Sequence, residues 1–194
     1  MTAPRWLLAG LLTLTAWPAQ AADLFMLSQK YGSIGFSVRH LGAFTSVGAF
    51  PRFMGRLLID RLHPEQTKID VEADATKITV PWPDGDTLLR GPEFFDVEHF
   101  PAVHFVSEAV RGVDPKHFLV DGMLEIRGIK RPLTLDATLR RQEANPTTGT
   151  EIADFTITGT LSRAAFGMTS QQMMISDEVN LLIAARVELP PQGR

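Results

Sequence analysis

Apolar and polar residues alternate with a period of two along most of this sequence, which predicts β-strands with one buried and one solvated face. In residues 133–139, Leu and Ala occupy the odd positions, whereas Thr and Asp occupy the even positions. Similar alternation recurs in residues 34–38, 53–59, 69–73, 118–126, 155–161 and 179–189. Long alternating strands without helices to cover a sheet favour an all-β barrel or sandwich.

Turn signals separate these runs and indicate how the strands connect. Residues 113–116 (VDPK) and 145–149 (NPTTG) are rich in turn formers and predict hairpins between adjacent antiparallel strands. Only residues 84–97 and 163–166 are predicted to be helical, and both segments are short. Many strands are long for a sandwich, so we predict an eight-stranded antiparallel, lipocalin-like barrel with one or two short helices in its loops.

Residues 1–21 have the pattern of a secretory signal peptide. Arg5 precedes an apolar run over residues 7–17, and an Ala-x-Ala cleavage pattern follows at residues 19–21. The run is shorter than the roughly 20 residues that a membrane-spanning helix needs. We therefore expect cleavage after Ala21, one mature domain over residues 22–194, and a periplasmic or otherwise secreted location.

Charge and cysteine content exclude several classes of function. Of the 19 Lys and Arg residues only Arg5 precedes residue 22, so 18 basic and 22 acidic residues give the mature chain a net charge of −4. A mildly acidic domain without a basic stripe argues against a nucleic-acid partner. The chain has no cysteine, which excludes thiol catalysis, thiolate zinc sites and iron–sulfur clusters.

Alternation alone does not tell whether the apolar face points into the barrel or outward to lipid. Membrane barrels carry girdles of Trp and Tyr, but residues 22–194 contain only Trp82 and Tyr31. The polar strand positions are rich in Asp, Glu and Arg, which suits contact with water. We therefore predict a barrel that is not membrane-embedded, with its apolar face turned inward.

Seven segments of the chain, taken in order, form a family pattern. They are residues 34–42 (IGFSVRHLG), 47–50 (VGAF) with Phe53 and Gly55, 91–101 (GPEFFDVEHFP), 103–107 (VHFVS), 120–132 (VDGMLEIRGIKRP), 162–168 (SRAAFGM) and 176–179 (SDEV). Over essentially all of residues 24–189 the sequence resembles the YceI family of lipid-binding proteins. The resemblance implies a lipocalin-like barrel with an elongated apolar cavity and a periplasmic carrier of polyisoprenoid or quinone-like lipids. Family members resemble dimers, and the sequence leaves the oligomeric state open between monomer and homodimer.

The interior of such a barrel is either filled by its own side chains or holds one small ligand. Twelve phenylalanines and few hydrogen-bonding aromatic residues predict a wall that selects apolar shape. The residues that we predict to contact a ligand are Phe36, Val38, His40, Phe50, Phe53, Leu57, Phe94, Phe95, Phe105, Leu124, Ile126, Phe155, Ile157, Phe166 and Met173. The sequence leaves open whether they instead fill a closed core.

His40 is the one polar member of this set, because it shares the apolar parity of Phe36 and Val38. It could bond to a ligand head group or quinone carbonyl, or to a neighbouring group of the protein. The other four histidines show no metal-ligand spacing, and we expect no metal site. They are His63, His99, His104 and His117.

Two arginines lie close to glycines of the family pattern and are further candidates for ligand contact. Arg127 precedes Gly128, and Arg163 precedes the Phe166–Gly167 pair. They could bind a phosphate at the opening of the barrel. Structural ion pairs, for instance with Asp177 or Glu178, are the favoured interpretation.

The function expected from these residues and from the resemblance is a non-catalytic carrier of a polyisoprenoid or isoprenoid-quinone lipid, with no cofactor besides that lipid. Ser107 and Ser162 lack the Gly-x-Ser-x-Gly context of a nucleophile. Two alternatives stay open: a ligand-free structural or stress-response barrel that partners a membrane redox protein, and an enzyme acting on lipid intermediates. A filled interior would favour the first, and converging titratable groups in a pocket the second.

Overall fold

The computed structural model describes residues 22–191, and the predicted signal peptide lies outside them. These residues form ten β-strands, one α-helix and three 3-10 turns. The strands are β1 (Asp23–Ser28), β2 (Gly32–His40), β3 (Phe44–Phe50), β4 (Phe53–Ile59), β5 (Lys68–Asp74), β6 (Ala102–Asp114), β7 (His117–Ile126), β8 (Ile129–Ala144), β9 (Glu151–Ser162) and β10 (Ile175–Leu189). The helix and turns are α1 (Gly85–Arg90), Pro64–Gln66, Ala75–Lys77 and Ala164–Phe166.

The strands form a single antiparallel sheet in the order β1-β4-β5-β6-β7-β8-β9-β10-β2-β3. Strands β1 and β2 form one long run, and β3 and β4 form a second run beside it. Each run is divided in the middle, so that β1 pairs with β4 and β2 pairs with β3. Residues 29–31 interrupt the first run, and residues 51–52 interrupt the second. Pro51 has no amide hydrogen to donate to a strand ladder. The predicted all-β barrel is confirmed, with ten strands instead of eight because two of eight runs are divided.

The sheet closes on itself where β10 meets the first run. Gly32 of β2 lies opposite Ala185 of β10, and the next amide, that of Arg186, donates to the carbonyl oxygen of Tyr31 at 2.6 Å. The apolar residues of one core cluster at this junction include Phe25, Leu27, Val187 and Leu189. The paired strands therefore enclose an interior.

The predicted alternation determines which residues reach that interior. Leu133, Leu135 and Ala137 of β8 are buried, whereas Thr134 is exposed and Asp136 half-buried between them. Burial of a large aliphatic side chain contributes about 1.5–3 kcal/mol, so these inward rows hold the barrel together. Both predicted hairpins are confirmed: residues 113–116 lie at the turn between β6 and β7, and residues 145–149 between β8 and β9.

Strands β2, β5, β7 and β9 finish at one end of the barrel, which we call the upper end. The opposite end is the lower end. The connection between β5 and β6, residues 75–101, carries α1 across the upper end. The predicted helix over residues 84–97 is wrong beyond Arg90, because Gly91 precedes a proline and adopts an extended conformation (φ −69°, ψ 170°). Within residues 22–191, no helix has the length and apolar character to cross a membrane.

Candidate ligand-binding cavity

The barrel encloses a cavity of about 740 Å³, to which all ten strands contribute inward side chains. This volume lies within the range of roughly 300–1,000 Å³ that is usual for small-molecule sites. Most of the lining is aliphatic or aromatic. The polar residues that line it are His40, Asp60, Arg61, Thr67, Gln142, Glu151, Arg163 and Gln171. The alternative of an interior filled by side chains is therefore wrong.

The structure brings twelve of the fifteen predicted contact residues together around this cavity. They are Phe36, Val38, His40, Phe50, Leu57, Phe94, Phe95, Phe105, Leu124, Ile126, Phe155 and Ile157. The ring of Phe36 occupies the place of a side chain at Gly48, where an added Cβ would lie 2.2 Å from the Phe36 Cζ. The glycine therefore lets an aromatic side chain lie flat along the wall.

Three predicted contact residues do not line the cavity. Phe53 is buried at the start of β4, where it belongs to a core cluster with its register partner Ala73. Phe166 lies in the 3-10 turn after β9 and is also enclosed by core residues. Met173 is 96% exposed, because it lies in the loop before β10, where no strand pairing directs it inward.

Sequence reasoning missed much of the wall that β10 contributes. From Val179 to Leu189 the odd positions of β10 face the cavity and share one apolar parity, and Ile175 lines it beyond a register shift that includes Asp177. These residues are Ile175, Val179, Leu181, Ile183, Ala185, Val187 and Leu189. The signal that could have identified most of them was the alternation of residues 179–189.

His40 lies at the upper end of the cavity. It is opposite Phe44 in β3 and Ile175 in β10, and Gln171 lines the cavity in the loop before β10. The His40 Nε2 atom is buried and has no hydrogen-bond partner among residues 22–191. Gln171 is exposed while it lines the cavity, so the cavity reaches the surface beside it. The upper end therefore offers one unpaired polar atom next to an opening.

The lower end of the cavity is charged. The Arg61 side chain, 12% exposed, donates from Nε to Asp23 Oδ2 at 2.7 Å and from Nη2 to the Pro190 carbonyl at 2.6 Å. Its Nη1 lies 3.4 Å from Glu151 Oε1. Gln142 lines this end and is exposed, which marks a second opening. Arg61 thus links β1, β9 and the end of β10. The sequence analysis did not identify this cluster because its residues are far apart in the chain.

Arg163 and Arg127 are structural, but their partners differ from those predicted. The buried Arg163 guanidinium donates to the carbonyl oxygens of Met168 (2.7 Å), Ile175 (3.1 Å) and Ser176 (3.0 Å). Burial lowers the pKa of Arg163 from its ordinary value. The expected ion pair of Arg163 with a carboxylate is wrong, because the loop before β10 surrounds the guanidinium with backbone carbonyls.

Arg127 fastens the β5–β6 connection to the β7–β8 turn. Arg127 and Gly128 form a two-residue hairpin turn with positive φ at both positions (54° and 70°), as a type I′ turn requires. From this turn the Arg127 Nη1 donates to the carbonyl oxygens of Pro92, at 2.9 Å, and Phe94. This bond holds the segment that places Phe94 and Phe95 in the cavity wall.

Hydrogen bonds at the end of β9 favour the ionised form of the Asp177 carboxyl group. The Ser162 hydroxyl and the Ala164 amide, which donates at 2.8 Å, hold the pKa of the Asp177 carboxyl below its ordinary value. The Arg163 charge adds a smaller effect in the same direction. This carboxylate therefore stabilises the turn that leads into the loop before β10.

The histidines outside the cavity wall each contact single carboxylates. His104 Nε2 lies 2.7 Å from Asp70 Oδ1, and His117 Nε2 lies 2.7 Å from Asp136 Oδ1. Within the described part of the chain, no three His, Cys, Asp or Glu side chains come together in a group that could hold a metal ion.

Comparison with known proteins supports one family. The model of the YceI-like domain matches residues 25–187. A UPF0312 protein of Serratia proteamaculans is 31% identical over 179 residues, 92% of each chain. A second UPF0312 protein, from Enterobacter, is 30% identical over 176 residues, 90% of this chain and 91% of its own.

Solved structures show the same fold at lower sequence identity. BcnA of Burkholderia cenocepacia superposes with a TM-score of 0.71 at 19% identity, over 80% of this chain and 96% of its own. A polyisoprenoid binding domain from Saccharophagus degradans gives a TM-score of 0.62 at 10% identity, over 88% and 99%. With a family match over most of its length and a closed barrel around an apolar cavity, this chain belongs to the YceI-like family.

Proposed function

We propose that this protein is a non-catalytic carrier that holds one polyisoprenoid or isoprenoid-quinone lipid inside its barrel. The observation that carries the proposal is the cavity of about 740 Å³, with an apolar wall and polar groups confined to its ends. Membership of the YceI-like family, and a fold shared with a polyisoprenoid binding domain, support the same class of ligand. The leader pattern of residues 1–21 supports a periplasmic site of action.

Burial of the hydrocarbon would dominate the affinity of such a ligand. Each CH₂ group removed from water contributes about 0.8 kcal/mol, so a chain of several isoprene units gains more than one head-group hydrogen bond supplies. His40 would orient the ligand, because its buried Nε2 lacks a partner among residues 22–191 and can bond to a carbonyl or hydroxyl. The proposal thus assigns affinity to the wall and orientation to His40.

Titration with quinones of increasing tail length tests this division. The mature protein is mixed with benzoquinones that carry no tail, a decyl tail or several isoprene units, and binding is followed by intrinsic fluorescence. We expect affinity to rise with each isoprene unit. Equal affinity for the head group alone, or no binding of any member, would contradict the carrier function.

The periplasmic location has its own test. Cells that express the full chain are fractionated beside cells that express residues 22–194 behind a start codon. We expect the full chain in the periplasmic fraction, shortened by its leader, and the truncated chain in the cytoplasm. Full-length chain in the cytoplasm would contradict this part of the proposal.

A further inference from the structure

Two loops at the upper end expose large apolar side chains side by side. Leu41 (65% exposed) and Phe44 (69%) lie at the β2–β3 turn, and Met173 (96%) and Met174 (54%) lie in the loop before β10. The Leu41 amide donates to the Met174 carbonyl at 2.9 Å, which holds the two loops together. We call these four residues the apolar rim.

The two segments that carry the rim contain no charged residue. Residues 41–51 and 164–176 include no Asp, Glu, Lys or Arg, although 21% of the chain is charged. Exposed loops of a water-soluble surface normally carry charge, and large exposed apolar patches mark interaction sites. A surface that is apolar and uncharged matches a zwitterionic bilayer, because apolar side chains partition into its interfacial region and no net lipid charge is there to attract a charged patch.

The rim is also adjacent to the cavity opening. Phe44 lies opposite His40, which lines the cavity, and Gln171 lines it within the same loop as Met173. At the lower end Leu62 and Val113 are also exposed, but the charged residues Asp60, Arg61 and Glu151 line the cavity there. The rim therefore adjoins the upper opening, while Arg163 also lines the upper part of the cavity and Ser170, in the loop before β10, donates to Glu93 at 2.7 Å.

We propose that the apolar rim docks on the surface of a zwitterionic phospholipid bilayer, so that the ligand passes between membrane and cavity through the upper end. This inference rests on the proposed carrier function. A lipid tail that crossed water between bilayer and barrel would lose about 0.8 kcal/mol for each exposed CH₂ group. Contact between rim and bilayer keeps the tail in an apolar path.

A second exposed apolar patch on the barrel wall provides a matched control. Leu24 (61% exposed) and Met54 (62%) lie on the outer face of β1 and β4. Arg56 shares this outer face, opposite Met26. The wall patch is thus similar in exposure to the rim but contains a charge and does not adjoin the cavity opening.

The test is flotation of the mature protein with phosphatidylcholine vesicles. We expect wild type to float, and the double variant Phe44→Ser/Met173→Ser to partition about tenfold less, as expected for a loss of about 1.4 kcal/mol of apolar burial. The wall variant Leu24→Ser/Met54→Ser should float like wild type. Absence of wild-type flotation, or an equal loss in both variants, would overturn the proposal.

Two further readouts separate docking from ligand binding. The rim variant should bind a detergent-dispersed isoprenoid quinone with wild-type affinity but extract it from vesicles more slowly. Flotation without quinone binding would leave docking intact and refute the carrier function. A rim variant that extracts quinone at the wild-type rate would refute docking alone, and a shift from dimer to monomer in the same variant would assign the rim to a second copy of the chain.

Discussion

Ala184 and Ala185 are neighbours on β10 but face opposite sides of the barrel wall, since Ala185 lines the cavity and Ala184 is exposed. A phenyl ring added at Ala185 would enter the cavity, whereas the same ring at Ala184 would enter solvent. We expect Ala185→Phe to lower the affinity for an isoprenoid quinone at least about tenfold, which corresponds to about 1.4 kcal/mol. Ala184→Phe should bind like wild type. Equal affinities of the two variants in fluorescence titrations would place the ligand outside the barrel.

His40→Phe should separate head-group recognition from tail burial. Replacing the imidazole by phenyl keeps an aromatic side chain and removes the buried Nε2 atom that has no partner within residues 22–191. Leaving a buried polar group unpaired costs about 1–3 kcal/mol, so the empty variant should be more stable than wild type. Its affinity should fall for quinones and stay unchanged for an isoprenoid hydrocarbon without a head group. Unfolding in urea and competitive titration measure both effects, and a uniform loss of affinity would refute the orienting role.

Arg163→Met should destabilise the protein because three backbone carbonyls lose their donor. Methionine has a similar length but cannot donate, so we expect a loss of about 2–4 kcal/mol in the free energy of unfolding. Arg131→Met is the control, since the exposed Arg131 side chain donates, among residues 22–191, only to the adjacent Lys130 carbonyl. Urea unfolding curves compare them. A change below about 1 kcal/mol at Arg163 would show that the buried guanidinium is not structural.

Asp177 should make stability depend on acid pH. Its folded-state pKa lies below the ordinary value, so its stabilising effect is complete above the ordinary aspartate pKa of about 3.9 and is lost as the pH falls through the folded-state pKa. Asp177→Asn should therefore be less stable than wild type at pH 7 and equally stable at strongly acidic pH. Asp121 and Asp154 also have lowered pKa values, but wild type and Asp177→Asn both contain them, so their contributions cancel in the comparison. A difference that stays constant with pH would contradict this assignment.

The barrel was predictable because strand alternation is a local signal. Between Leu133 and Leu139 of β8, and between Val179 and Leu189 of β10, each inward position follows from its neighbour two residues away. The strand number was less predictable. The breaks between β1 and β2 (residues 29–31) and between β3 and β4 (residues 51–52) depend on how these two long runs pack in a closed sheet. Pro51 is the one sequence signal for either break.

The polar groups of the cavity were much harder to predict. Arg61, Asp23 and Glu151 come from distant parts of the chain, so only the closed sheet brings them together. Met173 was predicted as a contact because methionine is flexible and fills irregular apolar space, yet a loop residue has no alternation to fix its direction. His40 was identifiable because it shares the parity of two apolar strand residues.

The most direct test of the carrier account is native mass spectrometry of the protein purified from the cells that naturally make it, followed by organic extraction. The account predicts a protein mass increased by one polyprenyl or isoprenoid-quinone lipid, which solvent extraction releases, and a dimer would appear at twice the protein mass. An empty protein that also fails to take up such lipids in solution would contradict the central claim and favour the ligand-free alternative.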